Sequence, residues 1–122
     1  MKYIALLTNR QEDLDRWAKM TTEEAQAARA AEVPKWEALF NELGPSGVLG
    51  FGAELAVPSS AKTVRVRDGE TVVTDGPFAE TKEQIGGVIE LTCDDLDQAI
   101  AVAARIPVVF QASVELRPVI EH

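Results

Sequence analysis

Thr74-Asp75-Gly76-Pro77-Phe78-Ala79-Glu80-Thr81-Lys82-Glu83-Gln84-Ile85-Gly86-Gly87 separates two β-like runs, Thr63 to Val73 and Val88 to Thr92. Asp75-Gly76-Pro77 cannot continue a central strand, because glycine relaxes φ while proline fixes it and removes a backbone donor. Gly76 precedes proline and is expected in extended backbone, so the chain leaves the sheet here. Upstream, Thr63-Val64-Arg65-Val66-Arg67 alternates cleanly, and Asp68-Gly69 is the strongest short hairpin signal in the chain. Thr71-Val72-Val73-Thr74 is its return arm. Downstream, Val88-Ile89-Glu90-Leu91-Thr92 reads as a further strand, and Gly86-Gly87 as a place where backbone approaches a neighbouring subunit.

Working outward, Tyr3 to Leu7 is a short apolar run suited to a strand buried on both faces, and Asn9 to Asp13 reads as a loop. Leu14 to Met20 predicts a short helix with Trp17 and Met20 on one side. A second helical stretch starts near Thr22, where Ala25 leaves no capping box but Glu23 and Glu24 complement the helix dipole. Pro34 is expected to break or kink it. Trp36, Leu39, Phe40 and Leu43 then form the stripe a helix buries against a sheet, with Gly44 as the expected C′ residue. Val48 to Val57 is a strand whose Gly50 and Gly52 mark a bulge or a close approach of another chain. Pro58 to Ser60 is a loop. Asp94 or Asp95 caps a last helix in which Leu96, Ile100 and Ala103 or Ala104 share a face and which stops at Pro107, before a final strand from Ser113 to Val119.

The element order is βαββαβ with one hairpin inserted, which is the ferredoxin-like α+β plan. A sheet with few apolar residues per face leaves surface to cover, and a homodimer that buries one sheet face against another covers it.

At 122 residues the chain is one domain. The formal net charge of -8 repels a phosphate backbone, and no Lys/Arg run offsets it, so nucleic acid is disfavoured as a partner. No apolar run approaches the ~20 residues of a membrane helix. Met1-Lys2-Tyr3-Ile4 leads into a strand rather than a signal peptide, so a cytoplasmic location is expected, with no membrane partner. Cys93 is the single cysteine, which excludes an internal disulfide and a multi-cysteine metal site.

Thr74 to Glu83 resembles the signature of the DGPF group within the YCII-related proteins, which are small bacterial domains of this length. The likeness extends to Thr63–Gly69, Gly86–Leu91 and Asp94–Ala99, and then to Ala104–Pro107 and Val114–Pro118. The resemblance implies a ferredoxin-like domain of the dimeric α/β barrel type. It also suggests a regulatory setting, since members of the group are often linked with alternative sigma factors. The wider group includes suspected enzymes that pair a histidine with an aspartate. Here His122 is the only histidine and sits at the chain end, so that dyad is missing.

No complete catalytic constellation stands out. Cys93 has no activating base and reads as a small buried hydrophobe. A carboxylate-only magnesium site at Asp75, Glu80 and Glu83 would need a phosphate partner as well, so no metal or cofactor is assigned. The loop itself has two readings. In the structural one, Asp75 accepts backbone hydrogen bonds, Phe78 plugs the core, and Thr81-Lys82-Glu83 starts a helical turn. In the functional one, Asp75, Gly76, Pro77, Phe78, Glu80 and Lys82 rim a cleft approached by Arg65, Arg67, Arg117 or Arg105. That cleft would bind a small polar molecule. An enzyme using Asp75 as acid or base is the alternative, and a protein-interaction module anchored by Phe78 with Trp17 or Trp36 is a third.

Overall fold

The computed structural model describes residues 1–77, 83–110 and 112–122. Strand β1 (Lys2–Arg10) is followed by helices α1 (Gln11–Ala18) and α2 (Thr22–Leu43) and strand β2 (Leu49–Glu54). Strands β3 (Lys62–Arg67) and β4 (Glu70–Asp75) form the hairpin. Strand β5 (Glu83–Thr92), helix α3 (Leu96–Ala103) and strand β6 (Val114–Pro118) complete the chain. β1, β2, β5 and β6 make one antiparallel sheet in the order β2-β5-β1-β6, while β3 and β4 pair only with each other. With the hairpin set aside, the first and third strands lie at the centre, which is the ferredoxin-like arrangement expected.

The helices cover one face of the sheet. Tyr3, Ala5 and Leu7 of β1 and Ile89 and Leu91 of β5 point into a core completed by Leu39, Val48, Cys93, Ala99, Val102 and Ile106. Alternation then puts Ile4, Leu6 and Thr8 on the uncovered face. Their cross-strand partners Glu90, Val88 and Ile85 join them there. The β2 register slips between Leu49 and Gly52, a bulge that sets Gly50 and the exposed Phe51 opposite Glu90 on that open face.

Several elements depart from the sequence expectation. β1 runs on through Asn9 and Arg10 because β5 starts at Glu83, not Val88, and supplies Gln84 and Glu83 as ladder partners. Glu83 is therefore strand rather than helical turn. The register also shifts between Leu7 and Thr8, and Gly86 is the extra residue opposite that step. A Cβ on Gly86 would meet the end of the Asn9 side chain, which would have to move aside, and one on Gly87 would fall 3.1 Å from the Ala53 carbonyl. Close approaches at both glycines are thus found within the chain, to the Asn9 side chain and the Ala53 carbonyl.

α2 is capped one residue earlier than expected. Thr21 Oγ1 accepts from the Glu24 N–H at 3.1 Å, and Thr21-x-x-Glu24 has capping-box spacing. Pro34 is accommodated in an unbroken helix, on an exposed surface where the carbonyl it leaves without a partner faces water. Gly44 stays right-handed at φ -54°, and the chain reverses instead at Gly47, with φ +76°. Asp95 caps α3 through the Gln98 N–H at 2.8 Å, but the helix buries Ala99, Val102 and Ala103. Leu96 and Ile100 remain half exposed. The small side chains let the helix sit close to the sheet, and that closeness outweighs the bulk of the leucine and isoleucine.

Candidate functional site

The hairpin is built as its sequence demands. Asp68 and Gly69 take φ +51° and +77°, the left-handed pair that a two-residue hairpin loop requires. The ladder sets Lys62 against Asp75, Arg65 against Val72, and Arg67 against Glu70. A period of two then places Lys62, Val64, Val66, Val73 and Asp75 on one face, and Thr63, Arg65, Arg67 and Glu70 on the other. Asp75 and the two arginines therefore look in opposite directions. Asp75 is ion-paired with Lys62, and 86% of its side chain is exposed.

Gly76 departs from the extended backbone expected before proline. It takes φ +92°, with its N–H donating to Ala61 at 2.8 Å and its carbonyl accepting from Thr63 Oγ1 at 2.8 Å. These two bonds tie off the hairpin base, and glycine meets the required φ without a Cβ clash. Pro77 follows, half-buried. Phe78, Glu80 and Lys82 lie outside the described residues. Arg117 is on the edge strand β6, opposite Ile4, and bonds Glu115 at 3.1 Å. It sits toward the far end of the sheet from Glu83, which pairs with Arg10. Arg105 bonds Glu42 on α2. The arginines and Asp75 are not gathered into one cleft.

The structure assembles a different polar group where the motif segment enters the sheet. Thr8 Oγ1 bonds the Ser113 carbonyl at 2.9 Å, lies 2.9 Å from Ser113 Oγ, and accepts from the Ser113 N–H at 3.1 Å. Ser113 Oγ in turn donates to Glu83 Oε2 at 3.1 Å. Thr8 and Glu83 lie on the open sheet face, and Ser113 joins them there, so two hydroxyls and a carboxylate stand at one end of an apolar surface. Residues 105 apart in the chain meet here. Continuing the β1 alternation past Leu7 would have placed Thr8 on this face. Nothing in the sequence pointed to Ser113.

Cys93 is buried, and burial pushes its thiol pKa up, with partial relief from the N-terminal amine. It behaves as a core residue rather than a nucleophile. Among the described residues, no group of three or more His, Cys, Asp or Glu side chains is placed to hold a metal ion. No described helix is long and apolar enough to cross a membrane.

A family model described as YCII-related domain matches residues 1–122. The uncharacterized protein R00369 of Rhizobium meliloti (strain 1021) is 36% identical over 100 residues, which span 82% of this chain and 75% of that protein.

Proposed function

This chain belongs to the YCII-related domain family, and on that premise we propose that it is a homodimeric module of the DGPF group that binds a small polar molecule. The observation that carries the reading is the open sheet face. Ile4, Leu6, Val88, Phe51 and Ile85 give it an apolar stripe bordered by Glu90, Glu115 and Arg117, and Thr8, Ser113 and Glu83 make one end polar. An apolar sheet face of this kind is covered when two copies pack face to face. The polar end then offers carboxylate and hydroxyl acceptors at the rim of the buried surface, suited to a ligand bearing amine, amide or hydroxyl donors. Asp75 to Glu83 leads directly into that end, since Glu83 is the first residue of β5.

The alternative of an Asp75 acid or base gains less support, because that carboxylate is solvated and salt-bridged to Lys62 instead of enclosed. A protein-interaction role draws on one observation, the stack of Trp36 on half-exposed Phe40 at 5.9 Å on the helical side. Native mass spectrometry of the protein taken from a cell extract, compared with Ser113→Ala and Glu83→Gln, tests the leading reading. A dimer carrying an extra mass that both variants lose is the expected result. A bare protein in all three samples, at any oligomeric state, would sink the ligand.

A further inference from the structure

The β3–β4 hairpin stands apart from the four-stranded sheet. Its strands bond each other and not the four-stranded sheet. Beyond the bonds at its own base it has no extended packing on any other element among the described residues. Yet Val64, Val66 and Val73 share one face and are 60%, 70% and 55% exposed, with Val64 and Val73 direct cross-strand partners. An isolated two-stranded hairpin is marginal in water. Alternating β-branched residues suit a strand that is covered on one side.

Charge and shape together select the cover. Residues 62–75 carry three cations (Lys62, Arg65, Arg67) and three anions (Asp68, Glu70, Asp75), so the net charge of -8 lies wholly on the rest of the chain. A neutral hairpin adds no net charge to a contact between two such bodies, so it joins them at less electrostatic cost than a further meeting of their acidic surfaces. The surface of matching chemistry is the apolar stripe of the open sheet face, with which, among the described residues, the hairpin of the same protomer makes no extended contact.

We propose that the hairpin is an exchanged arm whose valine face lies on a second copy of this chain, over exposed Ile85 where the apolar stripe of the open sheet borders the Thr8–Ser113–Glu83 group. The inference rests on the homodimer reading above and adds to it that each polar site is completed by the other subunit. Twofold symmetry closes the contact, because each arm given is matched by one received.

Two measurements test it: hydrogen–deuterium exchange of residues 62–75 across a protein dilution series, and sedimentation of Val64→Lys/Val66→Lys. Both substituted side chains are exposed in the protomer, so the body of the fold should be kept, as far-UV circular dichroism will report. Exchange in the hairpin is expected to slow about tenfold or more as the dimer forms. The double variant is expected to dimerise about tenfold more weakly or worse. A wild-type dimer whose hairpin exchanges equally fast at every concentration, or a double variant that dimerises like wild type, overturns the arm and leaves the homodimer standing. A hairpin already protected in the monomer overturns the arm as well. A protein monomeric throughout overturns both readings.

Discussion

β1 and β3 follow the same rule of alternation and end in opposite circumstances. In β1, Tyr3, Ala5 and Leu7 lie under the helices at 1%, 0% and 6% exposure. In β3, Val64 and Val66 occupy equivalent alternate positions and stand mostly in solvent. A strand pattern thus specifies that one face is to be covered, but not by what. The sheet's inner face is covered by α2 and α3 of the same chain. Among the described residues the hairpin has no such layer, and the Asp68-Gly69 turn and the Lys62–Asp75 pair hold its two ends.

Perturbing the two regions should therefore give unequal effects, and the largest belongs to the sheet. Leu91→Ala removes a fully buried side chain from the centre of β5 and is expected to cost ~2–5 kcal/mol in denaturant unfolding. A loss below about 1 kcal/mol would mean that the sheet relaxes as freely as the hairpin and that the contrast is false. A smaller effect comes from pH. The folded state disfavours the Cys93 thiolate, so the unfolded chain releases that proton first as pH rises. The contribution is fully present below the ordinary thiol pKa of about 8.5 and declines above it. Cys93→Ala should flatten the alkaline limb of a pH–melting curve, and an unchanged limb would refute the assignment.

In the hairpin, Gly69→Ala forces a Cβ into left-handed backbone at φ +77° and should cost ~1–2 kcal/mol locally. Faster amide exchange confined to residues 62–75, with little change in the global melt, would sharpen the comparison. A matching fall in global stability would show that hairpin and sheet unfold as one unit. Asp75→Asn should be the mildest change, under ~1 kcal/mol by thermal melting, because an exposed ion pair is screened by water.

The resemblance, carried mainly by Thr74 to Glu83, pointed to the YCII-related family that the match over residues 1–122 bears out, and it did so without any knowledge of contacts. The Asp75-centred cleft was less legible. Across the paired hairpin the period of two already sets Asp75 on the face opposite Arg65 and Arg67. Grouping it with Arg117 needed the strand order, and no local pattern contains that. Thr8, Ser113 and Glu83 come together only because β5 and β6 both flank β1.

By itself the sequence determined what depends on a few neighbouring residues: the βαββαβ order, the Asp68-Gly69 turn, an aspartate cap at Asp94 or Asp95 and the end of α3 ahead of Pro107. Each of these is decided by backbone preference or by a hydrogen bond spanning three or four positions. The tertiary structure alone decided how far β1 and β5 extend, why Gly86 and Gly87 must be small, which side of α3 is buried, and which polar groups meet on the open sheet face. Those outcomes depend on partners brought from distant parts of the chain, where packing distance and ladder register outweigh local preference.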